Sequence, residues 1–171
     1  NTAACIGLAS ILIHKKANNA VTIILPADHL IGEIEDFQRT IVKAAEFAYH
    51  SDSLVTIGIT PTRPETGYGY IQVLDSEVSE GIHKVQTFAE KPNLSTAKRF
   101  LESGDFLWNS GMFIWKTETI LNEIKIYLPD HYEGLLKIEK SVGTDSFEET
   151  LTNVYGQMMN VSIDYGIMEK S

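Results

Sequence analysis

The chain carries 171 residues, with 14 Lys and Arg against 23 Asp and Glu and a formal net charge of −9. That length allows one core of ordinary size, and so acidic a chain lacks the basic face that nucleic-acid binding needs. The lone cysteine, Cys5, excludes an internal disulfide, the five histidines show no zinc-ligand spacing, and no apolar run reaches membrane-spanning length.

The first expected element is a helix over Thr2–Lys16. Ile6, Ala9 and Ile13 recur at three to four residues, and the segment ends in His14, Lys15 and Lys16, basic charge that suits a helix C-terminus. "VTIIL", Val21 to Leu25, is apolar on both faces and predicts a central strand rather than an edge. It stops at Pro26 and is followed by Ala27, Asp28 and His29. Ligands in open α/β sheets gather beyond the carboxyl ends of strands, so Asp28 is a candidate metal ligand. The competing reading is a helix cap, for which Asp28 stands a little early; His29 reads as a loop hydrogen-bonder. "IEDFQRTIVKAAEFAYH" predicts an amphipathic helix with Ile34, Phe37, Ile41, Ala45 and Ala48 on one stripe. "LVTIGI", Leu54 to Ile59, predicts the next buried strand. Strand, helix and strand at this spacing predict a βαβ unit, hence a parallel sheet with a right-handed crossover.

"TPTRPETGYG" then reads as a turn-rich loop, in which glycine permits a close backbone approach at a turn or a ligand. Tyr68 and Tyr70 offer flat surface, although tyrosines in strands are ordinary. "YIQVL" and "IHKVQTFAEK" predict two strands around the acidic connection "DSEVSEG". Glu90 and Lys91 close the second strand, stopped by Pro92. They are either a solvated ion pair or a division of labour, Glu90 accepting from sugar hydroxyls and Lys91 meeting a phosphate. "STAKRFLES" predicts a short helix capped by Ser95. "LWNSGMFIW" sets Asn109, Ser110 and Gly111 ahead of an apolar strand, a turn or a hydroxyl-recognition point. Thr117–Val154 is mostly helical in pattern, and "SFEE", Ser146 to Glu149, matches a capping box. "VSIDYGIMEK" predicts a strand or strand-like loop in which Asp164, an acid among apolar residues, needs a partner: a lysine, a backbone amide or a metal ion. With no repeat or linker, residues 1–171 read as a single domain. The chain opens on a helix, with no strand ahead of it to cover the apolar edge of "VTIIL".

In this order, "NTAACIG", "LPADHLI", "TRPETGYGYI", "FAEKPN", "WNSGMFIW" and "SIDYGIMEKS" resemble the bacterial mannose-1-phosphate guanylyltransferases of the sugar-nucleotidyltransferase superfamily. The resemblance covers essentially the whole chain. It departs from the family in lacking a proline after "NTA" and in having Gly166 and Ile167 where Ala and Val are usual. It implies an α/β, Rossmann-like nucleotide-diphospho-sugar transferase fold, a mixed and mostly parallel sheet flanked by helices. The family's opening strand and its glycine-rich phosphate loop do not appear. The 171 residues therefore read as the central and C-terminal part of a catalytic domain without its first βα unit, inactive alone.

The lone Cys5 fits a reducing, cytoplasmic setting, and the resemblance also implies a reaction in which mannose 1-phosphate attacks the α-phosphorus of GTP to give GDP-mannose and pyrophosphate. Two anions must meet, and at an effective dielectric near 20 each pair of like charges ~5 Å apart opposes this by roughly 3 kcal/mol. Mg²⁺ is the implied cofactor, with Asp28 and Asp164 as its carboxylate ligands. Lys91 would hold the sugar phosphate, and Glu90, Asn109 and the Gly69 backbone the mannose. Asn1, Thr2 and Asp28 would face the nucleotide. No nucleic-acid or membrane partner is expected, and a homo-oligomer is allowed. The alternatives are a non-catalytic sugar-nucleotide-binding or regulatory module, a transferase for another sugar or base, and a bare α/β domain whose motifs are turns and caps.

Overall fold

A computed structural model describes the whole chain, Asn1–Ser171. The elements run α1 (Thr2–Lys16), β1 (Val21–Ile24), α2 (Ile34–His50), β2 (Val55–Ile59), β3 (Tyr70–Ser79), β4 (Ile82–Ala89), α3 (Leu94–Ser103), β5 (Phe106–Lys116), α4 (Thr117–Tyr127), α5 (Pro129–Ser141), α6 (Phe147–Gln157) and a π-helical turn (Asp164–Met168). They form two compact units, each assembled from separate segments. One holds Asn1–Thr22, Phe47–Leu54 and Trp115–Ser171; the other holds Ile23–Glu46 and Val55–Ile114.

The first unit is a helical layer. The Asn1 side chain caps α1 by accepting from the Thr2 amide at 2.8 Å. The buried face of α1 is Ala3, Ala4, Ile6, Gly7, Ser10 and Ile11, while Ala9, expected on that face, is exposed. Small residues let α1 approach α5 closely: a Cβ added at Gly7 would lie 2.7 Å from Leu135 Cδ1. Ile120, Ile124, Leu135, Ile138, Ile163 and Ile167 fill the core between α1, α4, α5 and the π-turn. The expected capping box at α6 does not form. Ser146 makes no cap hydrogen bond, and its hydroxyl pairs instead with Thr144 Oγ1 at 2.9 Å. The final segment is not a strand either. It winds into the π-turn, with the Glu169 amide donating to the Asp164 carbonyl at 3.0 Å.

The sheet is built on β5. Its strand order is β1-β5-β3-β4, and β2 also pairs with β5. The β2·β5, β3·β4 and β3·β5 pairings are all antiparallel. This corrects the expected mostly parallel sheet. β1 and β2 flank a helix as a βαβ unit would, but each hydrogen-bonds to β5, which arrives much later in sequence and runs opposite to β2. β1 ends the strand order, and Ile23 and Leu25 are 41% and 50% exposed.

In the second unit, β3 and β4 form one long hairpin. Ser79 pairs with Ile82 across a tight turn at Glu80–Gly81, where Gly81 takes φ +67°. Most of the acidic "DSEVSEG" connection is therefore strand. α3 is capped by Asn93 rather than Ser95: the Asn93 side chain accepts from the Thr96 amide at 2.9 Å and from Ser95 Oγ at 2.7 Å. Gly104, at φ +79°, ends that helix in the left-handed conformation only glycine adopts freely. Tyr70, Ala97, Phe106 and Trp108 form the core beneath α3, with Phe100 stacked on Phe106 at 3.8 Å.

Two glycines give opposite expectations. A Cβ at Gly58 would lie 2.5 Å from Leu107 Cδ1 and 3.0 Å from Leu107 Cβ, and the latter is fixed to the backbone. Gly58→Ala should destabilise by about 1–3 kcal/mol, the usual effect of overpacking. Gly156 lies in α6 with nothing within 4 Å of its added Cβ. Gly156→Ala should stabilise by about 0.4–1 kcal/mol. Urea denaturation midpoints of the two variants check both signs.

Candidate functional site

The site begins with an irregularity in β5. Thr56 pairs with Phe113 and Gly58 with Asn109, so one residue of β2 faces three of β5 and the strand bulges at Ser110–Met112. Ser110 repairs the ladder with its side chain, donating to the Ile57 carbonyl at 2.7 Å and accepting from the Met112 amide at 3.1 Å. Gly111 supplies the φ of +70° that the bulge requires. Asn109 is fixed in the same place. Its Oδ1 accepts from the Gly111 amide at 3.1 Å and the Thr56 hydroxyl at 3.2 Å, which turns the NH₂ end of the amide the other way. A Cβ at Gly111 would meet Pro26 Cγ at 3.5 Å, so the turn that carries Asp28 starts against this bulge.

Gly69, Glu90 and Lys91 converge on Asn109. The Gly69 carbonyl accepts from the Asn109 amide at 2.8 Å. A Cβ added at Gly69 would stand 2.6 Å from Glu90 Oε2 and 3.4 Å from Asn109 Cβ, so only glycine leaves the Glu90 carboxylate in place. The Glu90 side chain is 11% exposed, while the Lys91 side chain beside it is 61% exposed and brings Nζ to 3.2 Å from Glu90 Oε1. Lys91 is also the one non-glycine residue with positive φ, at +40°, immediately before Pro92. A left-handed backbone at a non-glycine residue costs ~1–2 kcal/mol and is worth linking to function. The structure thus assembles the four expected sugar-site residues into one cluster: Gly69, Glu90, Lys91 and Asn109.

The loop leading to Gly69 holds residues that the sequence did not single out. Glu65 accepts with Oε1 from the amides of Thr66 and Gly67 at 3.0 and 3.1 Å, and with Oε2 from Arg63 Nε at 3.1 Å. The Gly67 amide first, then the Arg63 side chain and the Thr66 amide, hold this carboxyl below its ordinary value. The Arg63 guanidinium lies over the Trp108 ring, 5.4 Å from its centroid, and Tyr68 meets the same ring edge-on at 5.3 Å. The buried Tyr70 donates its hydroxyl to the Glu65 carbonyl at 2.8 Å. A signal was available in "RPETG": a Glu before two donor amides, with Arg two residues earlier, can close on itself.

The remaining candidates lie elsewhere. In the helical unit, Thr2 Oγ1 accepts from the Ile163 amide at 2.8 Å, and the Ala3 amide donates to the Val161 carbonyl at 3.2 Å. The start of α1, with Asn1 and Thr2, is therefore tied to the residue preceding Asp164. Asp164 opens the π-turn and is half-buried rather than buried within a strand, a correction of the sequence reading. Single-turn π-segments are rare and concentrate at functional sites. In the other unit, Asp28 and His29 are exposed beyond β1. No group of three or more His, Cys, Asp or Glu is arranged to hold a metal ion.

Two expectations follow from this geometry. Lys91→Gly should relieve the left-handed strain and raise stability by about 1 kcal/mol, whereas Lys91→Met should not; thermal melts of the two variants make the comparison. Glu65 has a folded pKa below its unfolded one. Its contribution to loop closure is therefore complete above the unfolded value, roughly 4.3, and lost as pH falls through the lowered folded value. In an NMR titration, the Glu65 carboxyl carbon should titrate below the exposed glutamates, with the Gly67 amide proton following it.

Comparison with known proteins places the chain in a family. The family model for nucleotidyl transferases matches residues 1–142. A mannose-1-phosphate guanylyltransferase of Escherichia coli is 39% identical over all of this chain and 38% of its own length. The enzyme of the same name from Salmonella montevideo is 41% identical over all of this chain and 37% of its own length. Among solved structures, a Thermus thermophilus protein described as a mannose-1-phosphate geranyltransferase superposes with a TM-score of 0.85 at 32% identity, over 99% of this chain and 47% of that one. A Helicobacter pylori protein described as a mannose-6-phosphate isomerase gives 0.83 at 30% identity, over 100% of this chain and 65% of that one. The chain thus spans well under half the length of the curated relatives it matches. A family match across most of the chain, on a fold shared with these solved relatives, makes the chain a member of the nucleotidyl transferase family.

Proposed function

We propose that this chain is part of a cytoplasmic enzyme that makes GDP-mannose and pyrophosphate from GTP and mannose 1-phosphate. The observation that carries the reading is the Gly69–Glu90–Lys91–Asn109 cluster on the β5 bulge. Its chemistry suits a sugar 1-phosphate. The Glu90 carboxylate accepts from ring hydroxyls, and the Asn109 amide, which carries both donor and acceptor groups, suits hydroxyl recognition beside it. The missing Cβ of Gly69 lets the ring approach backbone. Lys91, largely exposed on a strained backbone, meets the phosphate as a point charge.

In the reaction, a phosphate oxygen of mannose 1-phosphate forms a new bond to the α-phosphorus of GTP. The bond from that phosphorus to the bridging oxygen breaks, and pyrophosphate leaves. Such a transfer depends on positioning and charge neutralisation rather than on covalent catalysis. Lys91 neutralises the attacking anion, and the Glu90–Asn109 pair fixes the sugar that carries it. The start of α1, joined to the 161–163 segment through Thr2, is the part proposed to face the nucleotide.

Magnesium suits carboxylate donors, and Asp28 beyond β1 and Asp164 at the π-turn are the residues proposed to hold it. Bound there, the ion would neutralise phosphate charge.

In the complete protein, Lys91→Met should weaken mannose 1-phosphate far more than free mannose; equal weakening of both would place Lys91 outside the site. Asp28→Asn and Asp164→Asn should each leave the melting curve nearly unchanged and lower turnover by orders of magnitude, with partial recovery at raised Mg²⁺ or with Mn²⁺. Near-normal turnover with an unchanged metal dependence in either variant removes that residue from the reading.

A further inference from the structure

We propose that Glu65 is a positioning residue for the sugar phosphate: its carboxylate closes the Arg63–Tyr70 loop from within and so sets the Gly69 backbone against Glu90 and Asn109. The inference rests on the sugar-site reading given above and adds to it a residue that does not touch the sugar.

The geometry leaves this loop few ways to move. One carboxylate gathers two successive amides, Thr66 and Gly67, on one oxygen and the Arg63 guanidinium on the other. The same residue accepts the Tyr70 hydroxyl on its carbonyl, and Tyr70 is fully buried. Arg63 in turn lies over Trp108, a core residue of β5 adjacent to Asn109. Glu65 therefore connects the loop to the strand that carries Asn109 through Arg63, and to the core through Tyr70.

Successive residues of a strand point to opposite faces, so the Trp108 anchor lies behind the sheet position at which Asn109 faces forward. On that forward side the tolerance is small. Gly69 leaves only 2.6 Å between the place of an absent Cβ and Glu90 Oε2, and its carbonyl accepts the Asn109 amide at 2.8 Å. A loop released at Glu65 would carry Gly69 toward Glu90 or away from Asn109. Either motion misplaces the acceptor and donor pair that meets the sugar hydroxyls.

The test uses steady-state kinetics of the complete protein with Glu65→Ala, Glu65→Gln and Arg63→Met. Glu65→Ala should raise the KM for mannose 1-phosphate by roughly tenfold or more, the scale of losing charge-assisted hydrogen bonds. Turnover at saturation and the KM for GTP should stay within about threefold, since neither contact nor charge at the nucleotide changes. Glu65→Gln keeps an oxygen for the two amides and should recover much of the loss. Arg63→Met should fall between the two. Faster hydrogen exchange at the Thr66 and Gly67 amides in Glu65→Ala would report the opened loop directly. A uniform loss across both KM values and turnover would make Glu65 a fold-stability residue only, and an unchanged sugar-phosphate KM would remove it from the site. Both results overturn the proposal while leaving the functional reading intact. A wild-type protein that binds no hexose 1-phosphate overturns the functional reading and this proposal together.

Discussion

The fold depends on one strand serving more partners than a strand has edges. β5 hydrogen-bonds to β1, β2 and β3, and Trp108 alone pairs with Ile59 of β2 on one edge and Tyr70 of β3 on the other. A regular strand of that length would impose one register on both neighbours. The bulge at Ser110–Met112 lets the register with β2 change partway along. The side-chain hydroxyl of Ser110 replaces the backbone bonds lost there, so the irregularity leaves little unsatisfied.

The candidate sugar site follows from the same irregularity. Asn109 sits at its start, held by Thr56 and the Gly111 amide, and Gly69 docks on the Asn109 backbone. Glu90 occupies the room that Gly69 leaves. Lys91 emerges one residue later on a backbone that only glycine would adopt without strain. Local strain of this kind persists when surrounding structure determines it, here the end of β4 on one side and Pro92 on the other.

Much of this was legible in the sequence and some was not, for identifiable reasons. Gly69, Glu90, Lys91 and Asn109 each stood where a strand meets a turn, and those positions did converge. Helix ends were less readable. Asn93 outcompeted Ser95 as a cap because its side chain reaches the Thr96 amide, and Ser146 found Thr144 in place of its own helix. The direction of the sheet was invisible to a local reading: the alternation of strands and helix around α2 signals a crossover, but which strand is interposed depends on a segment far along the sequence. The π-turn at Asp164 has no periodic signature in five residues, so its apolar neighbours passed for a strand. Glu65 escaped notice because its partners are its own next amides, and a self-closing loop looks like any polar turn.

The position of β1 at the end of the strand order has a consequence for colloidal behaviour. Ile23 stands half-exposed on a terminal strand, with Leu25 half-exposed just beyond its end, a surface suited to adding a further strand edge to edge. What opposes such stacking between copies is long-range repulsion from the net charge of −9. That repulsion reaches only about 8–10 Å at ~0.1–0.15 M ionic strength and about 3 Å at ~1 M. The contact at the apolar edge is insensitive to such screening. Solubility of the 171-residue chain is thus a balance between a screened charge and an unscreened strand, one that added salt tips toward self-association.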